Sequence, residues 1–162
     1  GRVEWMLADY NAALKSIRAA ADANPRFLEA HLALGRIFYR DSDLKSASTH
    51  FDQVLKIDPS NAVALVGLAE LRKKRSENKA ALSLLQKAVD SSPRSLDYRL
   101  RLADLYETEE RFEEALTAYK RVKTLLKDQR APAEVPLLNV EDKIKFLESQ
   151  IAKNSQKKEA KK

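Results

Sequence analysis

The 162-residue sequence predicts an all-α solenoid of stacked antiparallel helix pairs closed by a C-terminal capping helix, and three observations carry that reading. Pro25, Pro59 and Pro93 lie 34 residues apart, each after a turn-forming residue (Asn24, Asp58, Ser92) and each at the close of an apolar-periodic run. The same shift carries Ala13 onto Ala47, Ala81 and Ala115, Ile17 onto Phe51, Leu85 and Tyr119, and Leu34 onto Leu68 and Leu102. With only three Gly and five Pro, and 44% hydrophobic residues, the composition argues against a strand-and-turn fold and supplies enough apolar side chains for a core.

Residues 3 to 22 read as an amphipathic helix, with Leu7, Tyr10, Leu14 and Ile17 on one stripe. It has the pattern of a second helix whose first-helix partner is missing, so a face carrying Val3, Trp5 and Met6 is expected to lie uncovered, through removal of upstream repeats or as an edge for self-association. Helices follow at about 26 to 40, 44 to 57, 61 to 75, 77 to 90, 95 to 108 and 112 to 127, with Asp43 and Ser95 as N-caps. Small residues such as Gly35 and Ala47 mark places where helix axes approach closely. In the connector QRAPAEVPLL, Pro132 and Pro136 block helix continuation, and a last helix starts at Asn139 as N-cap, with Val140, Ile144, Leu147 and Ile151 on one stripe to cover the final pair. Phe146 lies off that stripe. The division is an array over 1–127 (half unit 1–27; units 28–61, 62–95 and 96–129), a connector over 128–138, and a cap with a Lys-rich tail over 139–162.

In the unit from Leu28 to Asn61, the residues His31, Leu34, Gly35, Phe38, Ala47, Phe51 and Pro59 occupy the positions of the pattern W-x2-L-G-x2-Y, A-x3-F, P over 34 residues, with His31 in place of Trp. The next unit keeps Leu68, Ala81, Leu85 and Pro93 but has Ala69 and Arg72 for the Gly and the aromatic. The third keeps Leu102, Ala103, Tyr106, Ala115 and Tyr119 and has Lys127 where the Pro belongs, which suggests that the array ends there. The chain therefore resembles the tetratricopeptide repeats. That resemblance implies a superhelix whose concave face is lined by the first helix of each unit. It places Glu29, Leu32, Arg36, Tyr39 and Arg40, then Val63, Val66, Glu70, Lys73 and Lys74, then Asp97, Leu100, Asp104 and Glu107 in a partner-binding groove. Leu32, Val63, Val66 and Leu100 form an apolar floor, with the basic residues towards one end and the acidic ones towards the other. The Lys and Asn positions with which some family members clamp chaperone C-termini hold Leu32, Arg36, Gly67, Asp97 and Arg101, so that clamp is not reproduced.

Chemistry is thinly represented. There is no Cys and no Gly-rich phosphate loop, and the two His lie nineteen residues apart, so no catalytic residue, metal site or cofactor is expected. His31 and His50 read as packing residues. Arg72-Lys73-Lys74-Arg75 reads as a helix C-terminus complementing the macrodipole, and Glu107, Glu109, Glu110, Glu113 and Glu114 as a solvated turn entering the next helix rather than a cation site. The net charge of +6 arises in the second half, because residues 1–61 carry eight basic and eight acidic side chains. The expectation is a non-enzymatic scaffold that binds a protein or peptide partner. A module binding RNA or an anionic surface through Lys73, Lys74 and the Lys-rich tail is the alternative. No apolar run is long enough to span a membrane, which leans towards a soluble, cytoplasmic protein while leaving the compartment open.

Overall fold

The computed structural model describes residues 2–128 and 137–159, and among these every regular element is an α-helix. Two compact units divide the chain, Gly1–Glu77 and Asn78–Lys162. The first contains α1 (Arg2–Ala23), α2 (Leu28–Arg40), α3 (Leu44–Ile57) and α4 (Ala62–Lys74); the second contains α5 (Asn78–Ser91), α6 (Leu96–Thr108), α7 (Phe112–Asp128) and α8 (Leu137–Glu159).

The 34-residue period reappears as backbone geometry. At each Pro turn the amide of the third residue on donates to the carbonyl of the turn-former: Phe27 to Asn24 at 2.9 Å, Asn61 to Asp58 at 3.1 Å and Ser95 to Ser92 at 3.0 Å. Asn24 and Asp58 also accept through their side chains from the amide two residues later, each at 3.1 Å, the Asx turn that suits an Asn/Asp-Pro step. Because this turn takes up Arg26 and Phe27, α2 opens at Leu28 rather than at residue 26. The other turns carry left-handed residues in the same register, Ser42, Ser76 and Glu110, with φ of 64°, 59° and 55°. After each of these, the next amide donates back to a carbonyl five residues earlier, Asp43 to Phe38, Glu77 to Arg72 and Arg111 to Tyr106, each at 2.9 Å. That 6→1 bond is the Schellman closure of a helix.

N-caps act where the following helix needs its first amides satisfied. Asp43 accepts from the Ser46 amide at 3.1 Å, Ser95 from that of Tyr98 at 3.3 Å, and Asn61 from that of Ala64 at 3.2 Å. The two bonds from Ser46 hold the Asp43 carboxyl below its ordinary value. Asn139 is different: α8 begins at Leu137, so Asn139 lies inside the first turn and is not the cap. Leu137 and Leu138 are good helix formers, and nothing delays helix initiation to Asn139.

In the first unit α1 packs on α2, α2 on α3, and α3 on α4. Ala21, Ala30 and Leu34 form a buried cluster with Leu14, Ile17, Ala20 and Phe38 packed round it. The Phe51 ring of α3 fills the gap between Gly35 and Gly67: a Cβ on Gly35 would stand 2.7 Å from it, and one on Gly67 2.5 Å. In the second unit Val140, Ile144 and Leu147 of α8 close over Ala103, Ala115, Ala118, Tyr119 and Val122. Three of the four residues anticipated for the capping stripe are thus the buried face of α8, while Ile151 is half-buried and Phe146 remains 47% exposed. Positions related by the repeat are buried alike: Ala47, Ala81 and Ala115 have no exposed surface, but Ala13 is exposed, since no helix of the described residues covers that side of α1. Val3, Trp5 and Met6 lie outside the described side chains, as do residues 129–136 of the connector.

Candidate functional site

The residues expected to meet a partner fall on the first helices α2, α4 and α6, and each unit presents its own set. In the first unit α2 and α4 lie against one another. Their core faces are occupied by Ala30, His31, Leu34 and Gly35 on α2 and by Ala64, Leu65, Leu68, Ala69 and Leu71 on α4. The remaining stripe of α2 leaves Glu29, Arg36 and Arg40 exposed, with Leu32 and Tyr39 half-buried. Lys74 at the end of α4 sets its Nζ 4.4 Å from the centroid of the Tyr39 ring, within cation–π range. Lys73 pairs with Glu70 at 3.3 Å, and the Arg40 guanidinium lies 5.5 Å from the Tyr10 ring. The structure therefore brings Tyr39, Arg40, Lys73, Lys74 and Glu70 into a basic, aromatic patch at the C-terminal ends of two adjacent helices. Glu29 stands apart, on the rim of an apolar cleft of about 310 Å³ with Ile17, Ala20 and Phe27. Val63 is half-buried and Val66 is buried, so Val66 belongs to the core as much as to any floor.

In the second unit α6 carries Asp97, Leu100, Asp104 and Glu107. Asp97 holds Arg101 of the next turn at 2.9 Å. The Tyr119 hydroxyl of α7 donates to Asp104 and lies 3.0 Å from Glu107, and Lys143 of α8 closes on Glu107 at 2.6 Å. Burial first, then the bond to Asp104 and the two negative charges, pushes the Tyr119 phenol well above its ordinary range. A small cavity of about 190 Å³ opens here, lined by Leu100, Asp104, Tyr119, Asn139, Val140 and Lys143. Asp104 and Glu107 are thus partly engaged with the fold's own groups. The sequence offered one signal for this, a hydroxyl-bearing Tyr119 at the position that holds Phe51 and Leu85 in the other units; Lys143, on a helix outside the repeat, had none.

The two histidines meet. Their Nδ1 atoms are 3.1 Å apart, and His31 Nε2 lies 3.1 Å from the Pro25 carbonyl. A carbonyl can only accept, so His31 donates through Nε2; when neutral it accepts at Nδ1 from His50. His50 also stacks on Phe38, with ring centroids 5.5 Å apart. Its pKa is lowered by burial first, then by His31 and by Arg18 of α1, against a smaller opposing effect of Asp22. The pair is a packing element linking α2 to α3. Among the described residues no three His, Asp or Glu side chains are grouped to hold a metal. Three glutamates of the α6–α7 turn face separate partners, Glu109 with Asn78 at 2.6 Å, Glu114 with Arg111 at 2.6 Å and Glu107 with Lys143.

The tetratricopeptide repeat family model matches residues 1–62 and 66–133. The chain belongs to the tetratricopeptide repeat family. The Arabidopsis thaliana protein described as "Protein CTR9 homolog" is 30% identical to it over 129 residues, which is 78% of this chain but 11% of that much longer protein. Among solved structures, a crystal structure of MamA superposes with a TM-score of 0.64 over 94% of this chain and 95% of its own, at 16% identity. The TPR2B domain of yeast Sti1, solved as a complex with pHsp70, superposes with a TM-score of 0.65 over 76% of this chain and 97% of its own, also at 16% identity. At these identities the likeness is one of fold, and that fold is the all-α helical repeat. Tetratricopeptide repeat proteins are generally non-catalytic scaffolds for protein–protein interaction. No helix of the described residues is long and apolar enough to cross a membrane.

Proposed function

We propose that this tetratricopeptide repeat chain is a non-enzymatic scaffold that holds a peptide or helix of a partner protein against the first-helix faces. The observation that carries the reading is the patch of Tyr39, Arg40 and Lys74 on α2 and α4, with Arg36 exposed one turn before Arg40. These side chains remain on the surface while the opposite faces of the same helices are consumed by the core. A tyrosine already carrying a cation on one ring face, flanked by two exposed arginines, offers apolar area and charge to an acidic peptide. The yeast Sti1 module of the same fold is solved as a complex with pHsp70, which supports capture of a partner segment as the mode for this chain.

Peptide selection tests the reading without a known partner. Random peptides displayed on phage and selected on the full chain should converge on sequences with acidic residues beside an apolar one. Arg36→Glu with Lys74→Glu should then weaken the selected peptides by about tenfold or more, chiefly by slowing association. Reversal of two exposed lysines on second helices, Lys56→Glu with Lys87→Glu, should leave binding within about twofold. Loss of binding in the second pair with retention in the first overturns the reading.

A further inference from the structure

The face of α6 turned away from Leu100 and Asp104 borders a cleft of about 500 Å³, and its lining differs from that of the first-helix patches. Arg99, Leu102 and Tyr106 come from α6, Gln86 from α5, and Glu113, Glu114, Thr117, Ala118 and Arg121 from α7, all within the second unit. That volume is in the range of sites that take small ligands or a few side chains, about 300 to 1,000 Å³.

The two ends of the cleft differ in charge. At one end stand two guanidiniums. Arg99 donates through one terminal nitrogen to the Pro93 carbonyl at 3.0 Å, but its Nε is buried with no hydrogen-bond partner among the described residues. Arg121 is exposed and makes no hydrogen bond or ion pair among them either. Burial and the charge of Arg121 lower the pKa of Arg99, only partly offset by Asp90. Asp90 is itself bonded to Gln86 at 2.9 Å. Two like charges beside an unsatisfied donor form an arrangement that an anion relieves. At the other end, seven residues or about 10 Å along α7, Glu114 is closed off by Arg111 at 2.6 Å, and Arg111 lies 4.7 Å from the Tyr106 ring. Glu113 has no side-chain partner among the described residues. Leu102, Tyr106 and Ala118 lie among the lining residues as its apolar members.

We propose that this cleft is a second peptide-recognition site, in which Arg99 and Arg121 take the side-chain carboxylate of an acidic residue in a partner protein while Leu102, Tyr106 and Ala118 take the apolar side chain next to it. The guanidinium fork matches a planar carboxylate. The carboxylate of Glu113 in the same lining offsets part of the charge of the two arginines, which disfavours polyanions and the densely charged backbone of nucleic acid. A monoanion with an apolar neighbour meets both halves of the lining. The site lies on a different face of α6 from Asp97, Leu100, Asp104 and Glu107, so it stands or falls independently of the first-helix patches.

Nitrogen-15 spectra of the full chain report the Nε–Hε groups of both arginines, assigned from Arg99→Gln and Arg121→Gln. The probe is acetyl-Gly-Phe-Glu-Gly-amide; the comparison arms are its Gln counterpart, acetyl-Gly-Phe-Gly with a free C-terminal carboxylate, and inorganic phosphate. The expected result is a saturable shift of the Arg99 Nε–Hε signal with the Glu peptide alone. Arg121→Gln, which removes an exposed side chain that makes no hydrogen bond or ion pair among the described residues, should weaken that binding about tenfold. Arg36→Glu should not change it. An equal response to the Gln peptide, to the free C-terminus or to phosphate overturns the proposal, as does no response at all. A shift that grows with protein concentration in the absence of peptide assigns the cleft to a second copy of the chain and overturns it as well.

Discussion

Phe51 shows how tightly single residues are specified here. Its ring occupies space that a Cβ on Gly35 or Gly67 would need, with separations of 2.7 and 2.5 Å. Replacing a helical Gly by Ala normally gains about 1 kcal/mol of helix propensity, whereas overpacking a filled core costs about 1 to 3 kcal/mol. At 2.5 Å the ring must move, so Gly67→Ala should lower stability in a denaturant titration despite the better propensity. In a Phe51→Leu background, where the ring edge is gone, the same change should be neutral or stabilising; an additive double-mutant cycle would show that the ring is not what requires the glycine. The histidine pair gives a pH dependence whose sign follows from the lowered His50 pKa. Below its ordinary value of 6.5 the unfolded chain binds a proton that the folded chain still refuses. Stability is therefore full above that value and is lost as the pH falls through the window below it. Melting temperatures between about pH 7.5 and about pH 5.5 should fall more for the native chain than for His50→Phe, which cannot titrate; parallel profiles would remove His50 from the effect.

At the scale of the element, the helix ends are as periodic as the cores. Ser42, Ser76 and Glu110 adopt left-handed backbone in three turns 34 residues apart, and none is a glycine. The left-handed region costs a residue with a Cβ about 1 to 2 kcal/mol, while glycine takes it readily but loses more entropy on folding. Ser76→Gly should accordingly stabilise the chain by about 0.5 to 1 kcal/mol, and Ser76→Val should destabilise it by more than that, because a β-branched residue at positive φ is a true outlier. Equal midpoints for the two variants would place the turn in another conformation. The absence of glycine is also why these closures were not legible in the sequence. The N-caps Asp43 and Ser95 were legible because their side chains advertise the chemistry.

For the whole molecule, the consequence of a repeat is that each helix pair leaves a face for its neighbour, and the last one needs a cover. In the second unit that cover is α8, whose Val140, Ile144 and Leu147 are buried on Ala118, Tyr119 and Val122. Deleting residues 137–162 should expose this face and promote association, read as a concentration-dependent mass by light scattering. A truncated chain that stays monomeric and melts unchanged would show that α8 is not a cap. The ion pairs Lys120–Glu148 at 2.9 Å and Lys123–Glu141 at 2.8 Å flank this interface but are exposed enough to contribute little. Neutralising Glu148 should leave the melting temperature nearly unchanged.

The amino-acid sequence by itself determined the helical repeat, its register and its family, because a period of 34 residues imprints apolar, small and turn-forming side chains at recurrent positions such as Ala47, Ala81 and Ala115. Helical periodicity also separates faces within one element, which is how Glu29, Arg36 and Arg40 were legible as lying away from the core of α2, whereas Val66, read as part of the groove floor, is buried in the core of α4. Only the tertiary structure decided what those residues do once other helices arrive. Tyr119 and Lys143 draw on Asp104 and Glu107, Lys74 settles on Tyr39, His31 finds His50, and Arg99 is left with a buried donor that the repeat does not satisfy. Those pairings join residues from 12 to 36 positions apart on different helices. A periodicity confined to one helix carries no information about which charged or aromatic side chain a neighbouring helix will set against it.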